Sequence, residues 1–124
     1  MHTVIETSVF RRAVEAAGLS EDEVLSITTH IAENPKVGDV IQGAGGARKF
    51  RWAGRGKGKS GGYRIITFYA ADDVPVFLLD MFSKGERVNL SKGERNELAK
   101  RLTRVADEYR AEMKKKVANL GRSP

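Results

Sequence analysis

Residues 43–69 read GAGGARKFRWAGRGKGKSGGYRIITFY, and their alternation sets the expected fold. From Ala47 to Ala53 the chain places Ala47, Lys49, Arg51 and Ala53 on one side and Arg48, Phe50 and Trp52 on the other. A period of two marks a strand, because successive Cβ atoms point to opposite faces of a sheet. Gly54 to Gly62 (GRGKGKSGG) reads as a glycine-laced loop, and Tyr63 to Ala71 (YRIITFYAA) returns as a second strand with Arg64 at its start. The stretch is therefore a β-hairpin with a basic tip, and Lys49 and Arg51 share one face of it.

Charge singles out the same residues. Arg48, Lys49, Arg51, Arg55, Lys57, Lys59 and Arg64 all lie here with no acid among them, while the rest of the chain carries 15 of the 22 Lys and Arg against all 16 Asp and Glu. The chain's net charge of +6 thus resides in this hairpin. Clustered cations attract phosphates far more than the same charge spread evenly, which is the footprint of a polyanion ligand. The plainer alternative is a solvated basic loop.

Working outward, 124 residues suit one domain spanning 1–124 with a real core. No window approaches the roughly 20 apolar residues of a membrane span, and MHTVIETSVFRRAVEAAG lacks the basic and apolar regions of an export signal. The absence of cysteine excludes disulfides, thiolate nucleophiles and Cys-ligated zinc or iron-sulfur sites, and fits a cytoplasmic protein. No cofactor is expected.

Upstream, His2 to Glu6 suggests a short first strand. Thr7 or Ser8 caps a helix with the stripe Val9, Phe10, Ala13, Val14 and Ala17, ended by Gly18. Ser20 and Glu23 form a capping box for a second helix, with Val24, Leu25, Thr28 and Ile31 on one face, ending at Asn34-Pro35. Downstream, Asp72-Asp73 turns the chain into a third, apolar strand from Val74 to Ser83, ahead of Lys84. Ser91 and Glu94 form another capping box, for a helix from about Lys92 to about Val117 whose core face is Leu98, Leu102, Val105 and Tyr109. Its apolar signal thins beyond Tyr109, and Lys114, Lys115 and Lys116 complement the helix dipole. The expected class is α+β: an antiparallel sheet with an N-terminal helical hairpin and a C-terminal helix, extended from about residue 105.

Two nucleotide motifs fail on context. Gly58-Lys59-Ser60 resembles the end of a P-loop, but the full pattern needs glycine where Ala53 stands and a helix where YRIITFY is a strand. Gly56, Gly58 and Gly61 match G-x-G-x-x-G and fail for the same reason. His2 and His30, the only histidines, fall outside the basic stretch, which disfavours a two-histidine ribonuclease and gives no zinc motif. Asp80 reads as a structural acceptor. Tyr63 is a candidate for stacking on bases, whereas Phe50 and Trp52, opposite Lys49 and Arg51, fit a core at least as well.

The element order, together with GDVIQGAGGARKFRWAGRGKGKSGGYRIITFY before FLLDMFSKGE, resembles the RelE/ParE toxin superfamily and most of all its HigB-like branch. The resemblance spans about residues 3–104 and is strongest over Gly38 to Glu86. It implies a type II toxin that cleaves messenger RNA in the ribosomal A site, neutralised by an antitoxin, with a helix-turn-helix HigA-like protein expected. By motif position Lys49, Arg51, Arg64 and Lys84 correspond to active-site bases. Lys57 and Lys59 correspond to further RNA-binding or catalytic residues, and Arg48, Arg55 and Tyr63 complete the candidate RNA-binding set. Where several family members place a tyrosine after the third strand, this chain has Arg87-Val88-Asn89-Leu90.

The residue types suit that chemistry. RNA carries its own nucleophile, the 2′-hydroxyl, so an enzyme needs only a base, charge stabilisation at phosphorus and a proton for the leaving oxygen. Lysine among cations serves as base or acid, and arginine, always charged, suits bidentate phosphate contact. Arg64 is thus assigned to the transition state, Lys49 or Lys59 to the base, and Arg51 or Lys84 to the leaving group. The competing class is a gyrase-directed ParE-like toxin or a non-catalytic RNA-binding module. Such gyrase-directed members generally lack the basic catalytic set.

Overall fold

The computed structural model describes residues 1–53, 62–83 and 90–120. The hairpin tip with Arg55, Lys57 and Lys59, the segment with Lys84 and residues 87–89, and the tail from Gly121 lie outside the described residues.

Among the described residues five strands, β1 (Val4–Glu6), β2 (Asp39–Val40), β3 (Ala47–Trp52), β4 (Tyr63–Phe68) and β5 (Val76–Ser83), form one sheet in the spatial order β1-β5-β4-β3-β2. Three helices, α1 (Ser8–Ala17), α2 (Glu21–Glu33) and α3 (Lys92–Leu120), complete the expected α+β class. The sheet is mixed rather than wholly antiparallel, because β1 runs parallel to β5 with Val4 opposite Val76. Parallel neighbours need a long crossover, and here everything between the two strands supplies it. The two-residue β2 pairs with β3 and is too short to leave a periodic signal in the sequence.

The caps form as the sequence predicts. Thr7 accepts the Phe10 amide at 3.3 Å to start α1, and its hydroxyl donates to the Leu78 carbonyl at 2.7 Å, fastening the helix to β5. Ser20 accepts the Glu23 amide, and Ser91 and Glu94 cap each other's backbone amides at 3.1 and 3.0 Å. Three residues assigned to buried stripes are on the surface instead. Leu25 is 63% exposed, because Val24, Ile27 and Ile31 hold the inward face of α2 and Leu25 stands a full residue-step of about 100° away from Val24. Val9 is also exposed, as is Ala17, leaving Phe10 and Val14 as the buried pair of α1.

Strand alternation decides the layers. Phe50, Trp52, Tyr63, Ile65, Leu78 and Met81 face α1 and α2, packing with Phe10, Ile27 and Ile31. Ala47, Ile66, Phe68, Phe77 and Phe82 face the other way, toward Leu102 and Ala106 of α3. A bulge makes this possible: Ile66 pairs with Asp80 but Thr67 with Leu78, so Leu79 is an extra residue. The inserted residue inverts the parity of β5 and brings Phe77 and Phe82, five apart, onto one face. The loop before β3 abuts α3, since Gly45 has φ of +70° and a Cβ there would lie 2.7 Å from the Ala99 Cα. Farther along, Arg110 grips Asp73 with two bonds of 3.0 and 3.2 Å.

Candidate nucleic-acid interface

The body of α3 lies over Ala47, Phe68 and Phe77, at one end of its sheet face. Beyond it, where the same face carries the basic positions, lies a cleft of about 550 Å³. Ile66 and Phe82 are its apolar floor, Ile41, Gln42 and Leu90 shape its sides, and Lys49, Arg64 and Arg95 bring charge to it. Three elements contribute those cations: β3, β4 and the start of α3. No acid lines the cleft among the described residues, and the acids nearest by register are Asp39, the Cα partner of Lys49, and Asp80, the Cα partner of the floor residue Ile66.

Arg51 extends the basic surface. It is exposed and stands directly across from Arg64 in the β3–β4 ladder. Like charges in opposed positions repel, and a bound anion relieves that repulsion. A phosphodiester backbone reaching from Arg51 across Arg64 to Lys49 would meet cations at alternate residues along the strand pair, while the apolar floor keeps water from part of the site.

Two candidates fall on the other side of the sheet. Arg48 points toward the loop after α2, where its Nη1 donates to the carbonyls of Lys36 at 3.1 Å and Gly38 at 3.4 Å. Tyr63 is 5% exposed in the layer against α1 and α2, so its ring packs in the core rather than against a base. Strand parity places both there. The histidines are also away from the cleft: His30 packs its ring 5.6 Å from Trp52, and His2 binds the Val74 carbonyl at 2.7 Å. Arg55, Lys57, Lys59 and Lys84 lie outside the described residues.

A profile described as "RelE toxin of RelE / RelB toxin-antitoxin system" matches residues 2–122. The chain belongs to the RelE toxin family. As a RelE toxin it has a cognate antitoxin as its partner, and its basic cleft holds Lys49 and Arg64 of the expected site, with Arg51 beside Arg64. Among the described residues no helix is long and apolar enough to cross a membrane.

Arg95 is the cleft residue that the sequence reading omits. Its signal was present: Arg95, Leu98 and Leu102 are spaced three and four apart, so a cation occupies a position on the core stripe of α3. The Ser91 carbonyl accepts the Arg95 amide at 2.9 Å, which fixes the turn, and the guanidinium reaches the Gln42 carbonyl at 3.5 Å across the cleft wall. A larger hollow of about 660 Å³ lies alongside, between β5 and α3, but Asp80, Glu94 and Glu97 line it, with Arg101 the one cation among the described residues. That balance repels a polyanion. The smaller cleft is the better nucleic-acid site.

Proposed function

We propose that this RelE-family toxin is a ribosome-dependent endoribonuclease that cuts messenger RNA in the A site. The observation that carries the reading is the convergence of Lys49, Arg64 and Arg95 from three elements on one cleft, with Arg51 beside Arg64. In the reaction a base removes the 2′-hydroxyl proton, and the 2′-oxygen attacks the adjacent phosphorus. The bond to the 5′-oxygen breaks as that oxygen takes a proton, leaving a 2′,3′-cyclic phosphate and a 5′-hydroxyl. Negative charge rises on the non-bridging oxygens in between. Arg64, on a central strand, is preorganised to stabilise that charge, and Arg95 supports it from the opposite wall; such electrostatic contacts are often the largest catalytic contribution. Lys49 or Lys59 serves as base, and Arg51 or Lys84 lies near the leaving group. The target places the toxin in the cytoplasm, with a small helix-turn-helix HigA-like protein as its antitoxin.

Primer extension on a translated message tests this. Expression of the wild-type chain is expected to produce cuts in codon register that vanish when initiation is blocked. Cuts that persist without initiation overturn ribosome dependence, and growth arrest with intact messages and inhibited gyrase supports the ParE-like alternative instead.

A further inference from the structure

The last turns of α3 carry an amphipathic surface that the sheet does not use. Tyr109 is the final residue of the helix to pack on the core cluster, and residues 110–120 are all exposed. At 1.5 Å per residue this is roughly 16 Å of projecting helix. A solvated extension needs no apolar stripe, yet Met113, Val117 and Leu120 are 38%, 64% and 76% exposed. Their spacing of four and three places them on one face, in line with Leu102, Ala106 and Tyr109, so the core stripe continues past the edge of the fold.

Charge identifies what fits there. On a helical wheel Lys116 borders the stripe on one side and Lys114 on the other, with Arg110, held by Asp73, at its inner end. Glu112 lies beyond Lys116 on the same side, about as far from the stripe as Lys114, so Arg110, Lys114 and Lys116 outnumber the one acid along the edges. Two copies packed face to face through these turns would bring together two sets of Arg110, Lys114 and Lys116 with only one Glu112 from each copy to offset them, which like-charge repulsion opposes. RNA would use the lysines but leave the Met, Val and Leu side chains uncovered. An amphipathic helix with apolar residues on one face and acids along both edges satisfies both features at once.

We infer that residues 110–120 of α3 are a docking surface for an acid-edged amphipathic segment of the cognate antitoxin. The inference rests on the toxin–antitoxin pairing of the family. Arg95 and Arg110 are 15 residues apart on one helix, on the order of 22 Å, so a contact confined to residues 110–120 leaves the cleft uncovered. Neutralisation through it is by bulk: the antitoxin held on the projecting helix keeps the toxin out of the A site.

The test uses the full chain and the antitoxin encoded by the adjacent reading frame, titrated by calorimetry. Met113→Asp with Val117→Asp, and separately Lys114→Glu with Lys116→Glu, are each expected to weaken binding about tenfold or more, as loss of an anchoring contact does. Both variants should cleave messages on ribosomes at the wild-type rate without antitoxin. Hydrogen exchange of the unsubstituted chain provides a measure independent of variant folding: amides of residues 110–120 should gain protection when the antitoxin binds. Wild-type affinity in both variants, or no gain in protection, overturns the inference. So does a free-chain dimer dispersed by the aspartate pair, or a charge reversal that weakens ribosome binding alone. If the wild type binds no antitoxin, the pairing and this surface fall together. If it binds with the expected losses in the variants yet cuts no message, the nuclease reading fails and the docking surface stands.

Discussion

Arg48 and Arg64 show how little residue type alone says about role. Both are strand arginines from the same basic hairpin, and parity sends one to each side of the sheet. Arg64→Ala is expected to lower single-turnover cleavage on programmed ribosomes by about 10²–10³-fold at saturating toxin, the loss typical of one transition-state donor. Its melting temperature should stay near wild type. Arg48→Ala should do the reverse: it removes the donor to the Lys36 and Gly38 carbonyls, costing about 1 kcal/mol in denaturant unfolding, with cleavage unchanged at saturation. Wild-type cleavage by Arg64→Ala would move the transition-state role to Arg95 or to the lysines. The alternation that separates these two was legible in the sequence. The burial of Tyr63 was not, because its position at the strand start gave no indication of how far α1 and α2 extend over that end of the sheet.

At the scale of elements, the cleft depends on where α3 begins. The loop before β3 meets the helix at Gly45, whose left-handed conformation and contact with Ala99 leave no room for a side chain. Gly45→Ala should destabilise the fold by roughly 1–2 kcal/mol from backbone strain alone, and displace the first turns of α3 with Arg95. Cleavage should fall with it. Gly43→Ala is the control: φ is +77°, but nothing lies within 4 Å of the added carbon, so strain appears without displacement. Thermal melting of both variants, paired with single-turnover rates, separates the two effects. Equal cleavage in the two would mean that the seating of α3 does not set the cleft. The limits of α3 were largely readable from the Ser91–Glu94 box and the Leu98, Leu102, Val105 and Tyr109 stripe, both local features.

Across the whole molecule, the Asp73–Arg110 pair ties the turn between β4 and β5 to the middle of α3. The hydrogen bond from Arg110 holds the Asp73 carboxyl below its ordinary value, and the guanidinium charge adds to it. A carboxyl whose folded value is depressed contributes stability above its unfolded value, about 3.9, and loses it as pH falls through the folded one. The difference in melting temperature between wild type and Asp73→Asn should therefore be present at pH 6 and shrink toward zero as pH drops below about 4. It should also narrow with added salt, because the pair is exposed. A constant difference across that range would show that the pair's charge has no part in anchoring the helix.

The sequence by itself determined what nearest neighbours control: the strand period of 47–52, the caps at Thr7, Ser20 and Ser91, and the confinement of the excess charge to one hairpin. Each depends on residues within a few positions of one another, where pattern and propensity act directly. Only the tertiary structure decided that β1 joins β5 in parallel, that the Leu79 bulge turns Phe82 into cleft floor, and that Arg95 shares a cleft with Arg64, about 30 residues away in sequence. Those outcomes follow from contacts between distant segments, chosen by how two hydrophobic layers close over the sheet. No single stretch of the chain carries that information.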